Sequence, residues 1–135
     1  MKGDLALRFR RAAAQRFADA ESLFREHGYI GAVYLTGYAV ECSLKSLILA
    51  CTPPKDQATL VKGDFIGSRG HNLEHLKELL KQKNQRMPQE VYEVFRRVNK
   101  WSTDLRYEVG LGSVQQASGY LEAAKQIMDL VEKRL

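Results

Sequence analysis

The sequence predicts an all-α fold, an up-and-down bundle of four to five helices formed by a single domain over residues 1–135. Three observations point there. Apolar residues recur three and four positions apart through most of the chain, the spacing that lines one face of a helix. No segment shows the strict alternation of a half-buried strand. The prolines and most glycines fall between or at the edges of the periodic segments, as connections between packed helices require.

The first helix is expected from Asp4 to Glu26, with Phe9, Ala13, Phe17, Ala20 and Phe24 on one face and Arg8, Arg11, Gln15, Asp19 and Ser22 turned to water. His27-Gly28 closes it, since glycine commonly follows a helix C-terminus. A second helix runs from Tyr29 or Gly31 to about Cys51 and is apolar nearly all round, which marks it as buried. Pro53-Pro54 ends it. Residues 52–70 have no sustained period and carry the breakers Pro53, Pro54, Gly63 and Gly67, and they predict a long connection with room for one helical turn. Asn72 caps a third helix carrying Leu73, Leu76, Leu79 and Leu80. Pro88 opens a fourth, striped by Val91, Val94, Phe95, Val98 and Trp101. After a second irregular stretch, Ser113 and Gln116 form a capping box for the last helix. Its core positions are read as Val114, Ala117, Leu121, Ala124, Met128, Val131 and Leu135, which leaves Tyr120 and Ile127 as surplus apolar surface.

Hydrophobic content of 44% and charged content of 27% are those of a globular protein rather than a disordered or fibrous one. The net charge of +5 is compatible with an anionic partner. Cys42 and Cys51 are too few for a disulfide framework or a zinc site, and nine positions on one helix put them on roughly opposite faces. They are expected to be small buried side chains in a reducing, cytoplasmic setting. No metal and no cofactor is expected. The charged N-terminal segment lacks the apolar region of a secretory leader. Glu41 and Lys45 near the middle of the apolar second helix argue against a membrane span.

Those two residues are also the chief candidates for function. Four residues is just over one helical turn, so Glu41 and Lys45 share a face with Tyr34 and Tyr38. Charge in a buried helix is costly unless paired. His71 at the start of the third helix and Arg106 after the fourth are the available polar partners. One reading is a structural network in which Glu41 accepts from Arg106 or His71 and fixes the register of the helices. The other is a cationic pocket in which Lys45, Arg106 and His71 meet a phosphate.

The patterns Tyr34-Leu-x-Gly-Tyr-Ala-Val-Glu-x-x-Leu-Lys45, Gly70-His71-x-Leu73-x-x-Leu76 and Trp101-x-x-x-x-Arg106-Tyr107, with the Arg16-Phe17-x-x-Ala20-Glu21 segment before them, together resemble the HEPN domain (higher eukaryotes and prokaryotes nucleotide-binding). The resemblance extends over most of the chain. It implies an α-helical bundle that is usually a homodimer. It also implies binding of RNA or a nucleotide, and either metal-independent ribonuclease activity or a toxin-antitoxin pairing with a nucleotidyltransferase-like protein. By the same resemblance the ligand-binding residues are Tyr38, Glu41, Lys45, His71, Arg106 and Tyr107.

Nuclease branches of the family also carry an Arg and a His with four to six residues between them, near the last helix. Counted from Arg106, that His falls between positions 111 and 113, where this chain has Leu111, Gly112 and Ser113. The resemblance therefore implies a domain without a competent ribonuclease site. Arg69 and His75 satisfy the same spacing elsewhere, before and within the third helix. They define a rival expectation, an active endoribonuclease, which requires the 52–70 segment to fold back toward Lys45. A third expectation is a purely structural interaction module in which the charges only lock the bundle.

Overall fold

The computed structural model describes residues 3–86, 88, 93, 96 and 113–135. Its helices are α1 (Asp4–Arg25), α2 (Tyr29–Ala50), α3 (Pro54–Lys62), α4 (Gly67–Gly70), α5 (Leu73–Gln82) and α6 (Val114–Arg134). No strand occurs among the described residues. The stripe Val91, Val94, Phe95, Val98 and Trp101 expected of a further helix, together with Arg106 and Tyr107, lies outside the described residues.

The central element is α2, against which α1, α5 and α6 all pack. Its all-round apolar composition follows from that position: Val33, Val40, Leu44, Leu47 and Ile48 are all buried. From α1 come Ala6, Ala13 and Ala20, seven apart and buried, so small methyl groups let the two backbones approach closely. The α1 phenylalanines flank this seam and are partly buried. Phe9 meets Phe65 edge-on with ring centroids 5.8 Å apart, and Phe24 meets Tyr29 at 5.4 Å.

The end of α1 departs from the expected glycine stop. His27, not Gly28, takes the left-handed conformation, with φ of 66°. Gly28 N–H donates to Leu23 O at 2.8 Å and His27 N–H to Phe24 O at 3.1 Å, which together make a Schellman motif. The His27 ring is held by the Tyr29 hydroxyl, 2.9 Å from Nδ1, which helps fix an imidazole where glycine is usual. The same motif ends α5, with Asn84 at φ 61° in the equivalent place.

The stretch from Thr52 to Gly70 is more ordered than its lack of period implies. Pro54 starts the nine-residue α3 at a position where its missing N–H costs nothing. Buried Gln57 reaches back, its Nε2 donating to Leu49 O at 3.1 Å and Thr52 O at 3.2 Å, so a side chain of α3 satisfies carbonyls at the end of α2. Because α3 buries chiefly that one polar side chain, it leaves no apolar stripe in the sequence.

Asn72 caps α5 as expected, its Oδ1 accepting from the Glu74 and His75 backbone N–H groups. At the start of α6 Ser113 Oγ accepts from Gln116 N–H at 3.4 Å, the forward half of the expected capping box. The buried face of α6 shares Ala117, Ala124 and Val131 with the expected one and is otherwise turned from it. Ala117, Tyr120, Ala123, Ala124, Ile127 and Val131 are buried, Leu121 and Met128 only partly, and Val114 is exposed. Tyr120 and Ile127 are thus core rather than surplus surface. Two helical stripes one position apart were available, and the chosen one seats the large Tyr120 and Ile127 against α2. Arg10 and Glu132 close α1 onto α6 with a bidentate ion pair, at 2.8 Å and 2.6 Å. No helix among the described residues is long and apolar enough to cross a membrane.

Candidate functional site

Glu41 and Lys45 stand one turn apart on the face of α2 that meets α4 and the loop before it. Lys45 Nζ lies 2.8 Å from Glu41 Oε2, and both residues are only 4% exposed. The ammonium also donates to Phe65 O at 3.3 Å and lies 5.2 Å from the centroid of the Phe65 ring, a cation–π distance. The other carboxylate oxygen, Glu41 Oε1, is 2.9 Å from His71 Nδ1. Both oxygens of Glu41 are therefore engaged, and Lys45 is sealed beneath Phe65.

Local geometry makes this closure possible. The backbone at Gly70 passes so close to the Phe65 carbonyl that a Cβ at position 70 would overlap it. Only glycine lets the one-turn α4 tuck against that carbonyl and deliver His71 to Glu41. The His71 side chain is 48% exposed, unlike the pair it touches. An ionised Glu41 only accepts hydrogen bonds, so Nδ1 carries the proton and Nε2 is left as the outer nitrogen. The Tyr38 ring stands edge-on to His71 at 6.1 Å, and Tyr34 continues the row with its ring 5.2 Å from that of Tyr38.

A second polar group lies beside the first. Asp64 Oδ1 is 3.2 Å from His75 Nε2 and 3.9 Å from Arg69 Nη1. Arg69 is largely exposed. Asp64 and Phe65 are consecutive, so the two groups meet at neighbouring residues, and the segment before α4 does fold back onto Lys45.

Of the residues singled out from the sequence, Tyr38, Glu41, Lys45 and His71 come together at one corner. Arg69 and His75 meet on a different carboxylate, and Arg106 and Tyr107 lie outside the described residues. Phe65 and Asp64 gave no sequence signal beyond an aromatic and an acid between Gly63 and Gly67. Cys42 and Cys51 are free thiols. Burial first, then the nearby Glu41 carboxylate, pushes the Cys42 thiol above its ordinary range, against weaker opposing effects of Lys45 and Arg16. It is a neutral group at physiological pH and no activated nucleophile. Among the described residues no three His, Cys, Asp or Glu side chains are gathered as metal ligands would be.

The family model for the HEPN domain matches residues 6–134, nearly the whole chain. The chain belongs to the HEPN domain family. No curated protein and no solved structure matches it. This HEPN domain is thus an all-α member of a nucleotide- and RNA-related family. Its paired charges on α2 form the buried half of the corner, and His71 forms the half that reaches solvent.

Proposed function

We propose that this HEPN domain binds RNA or a nucleotide at the His71 corner and does not itself cleave RNA. The observation that carries the reading is the unequal exposure of the three linked side chains. Lys45 is consumed by Glu41 and the Phe65 carbonyl, so it cannot be offered to a phosphate. The pair instead fixes His71, whose outer nitrogen and flanking Tyr38 ring present one polar and one aromatic contact. The absence of a histidine at positions 111–113 supports binding without cleavage. A homodimer, a cytoplasmic setting and a nucleotidyltransferase-like partner of the toxin-antitoxin type belong to the same reading.

Titrating a labelled RNA oligonucleotide and ATP against wild type, His71→Ala and His71→Asn tests it. Asparagine keeps an N–H for Glu41 and removes the outer ring nitrogen. Both variants are expected to lose binding, with His71→Asn melting close to wild type. Wild-type affinity in His71→Asn overturns the assignment.

A second reading has its own observation: Arg69 and His75 share Asp64 on a segment folded against Lys45. In that reading they form an endoribonuclease pair, with His75 moving the proton and Arg69 meeting the phosphate. It requires RNA cleavage in EDTA that His75→Ala abolishes. Intact RNA after prolonged incubation with wild type excludes it.

A further inference from the structure

The seam between α1 and α2 opens on its solvent side into two hollows of ≈ 330 Å³ and ≈ 400 Å³. Both are lined by Ala12 and Cys42, so they form one trough. Arg8 and Phe9 line one end, and Arg16 and Tyr38 line the other. The floor is apolar and shallow because Ala12 contributes a single methyl group and Cys42 a neutral thiol.

The two arginines are placed to meet an anion, Arg8 without an acidic partner among the described residues and Arg16 with only a long contact to Asp19. Arg8 and Arg16 are eight residues apart, which is about 12 Å along the helix axis. Arg8 is exposed and makes no ion pair among the described residues. Arg16 Nε is buried and has no hydrogen-bond partner among the described residues, although the Arg16 side chain as a whole is 43% exposed. Its acidic neighbour, Asp19 Oδ2, lies 3.8 Å away, beyond hydrogen-bond reach. The exposed part of the Arg16 side chain can therefore turn to an acceptor in the trough. Tyr38 lines the trough and its ring also stands against His71, so one residue is shared by trough and corner.

We propose that this trough is the phosphate-binding subsite of the domain, in which a single RNA strand lays its backbone along Arg8 and Arg16 and a base against the Tyr38 ring. The proposal rests on the RNA-binding reading above and supplies the cations that the buried Lys45 cannot. Aromatic surface interleaved with arginine is the surface that single strands use, bases stacking while guanidinium groups track the phosphates. Eight residues of helix separate the two arginines by more than the spacing of neighbouring phosphates on one strand. The separation of the two selects an oligonucleotide.

The test is a salt series with a labelled oligouridine of about 8 nucleotides, a length within single-strand site sizes. Wild type, Arg8→Ala/Arg16→Ala and Arg8→Lys/Arg16→Lys are compared. Loss of two phosphate contacts in the alanine variant should flatten the plot of log affinity against log salt by about 1.4, or about 0.7 per phosphate. Binding at low salt should weaken by at least about tenfold, the melting temperature should hold, and the lysine variant should keep the wild-type slope. A wild-type slope in the alanine variant, while His71→Asn still abolishes binding, overturns the subsite alone. No binding by wild type overturns the RNA reading and the subsite together. Displacement of the oligouridine by polyglutamate at equal charge concentration assigns the trough to an acidic protein and also overturns the proposal.

Discussion

The Glu41–Lys45 and Arg10–Glu132 ion pairs have nearly the same length, 2.8 Å and 2.6 Å, and opposite surroundings. The first joins two residues of one helix and is sealed from water. The second joins residues 122 positions apart, with side chains 42% and 47% exposed. In the Arg10 pair the fork-shaped guanidinium meets both carboxylate oxygens, an arrangement that holds the arginine proton more firmly than usual. Even so, water and salt screen it, and each partner is comfortable alone. Neither Glu41 nor Lys45 can be left alone. The comparison teaches that burial, not distance, decides what an ion pair contributes. A buried pair acts less as a source of stability than as a constraint on everything it touches, here Phe65 and His71.

The largest expected effect is on the buried side. Glu41→Ala strands Lys45 and should lower unfolding free energy by about 3–5 kcal/mol, read by urea denaturation. The double variant Glu41→Leu/Lys45→Met should recover most of that loss. Failure to recover shows that His71 or Phe65 depends on the charges themselves. Next, Gly70→Ala forces the Phe65 carbonyl off Lys45 and should cost about 1–3 kcal/mol, the range of an overpacked core. A silent Gly70→Ala would mean that the carbonyl is no part of the buried network. Smallest is Arg10→Ala, at about 1 kcal/mol or less. Its melting difference from wild type should shrink as salt is raised toward 1 M, whereas that of Glu41→Ala should persist. Equal salt dependence of the two would erase the contrast.

The same contrast separates what could be read from the sequence and what could not. Glu41 and Lys45 were legible because two charges four apart in an apolar helix must share a face and must be paired. His71 was legible as one of two available partners. The Phe65 carbonyl was not, because a backbone oxygen has no residue-type signature and reaches Lys45 only once Gly70 has let the chain turn. Nor was Arg10–Glu132, since nothing local links the two ends of the chain. The apolar stripes of α1, α5 and α6 followed from spacing, and α2 from an apolar run too long for a strand. The helix α3 did not, because it is held by a proline start and one glutamine rather than by a buried face. On α6 the period was right and the rotation wrong, because spacing alone does not choose between adjacent stripes when both are apolar.

The reach of Gln57 into the end of α2 sets how the junction of α2 and α3 opens. Were α3 to lift away, the carbonyls of Leu49 and Thr52 would lose their shared donor at once. The last turn of α2 and the first turn of α3 are therefore one cooperative unit, and their amides should exchange with solvent deuterium at a common rate.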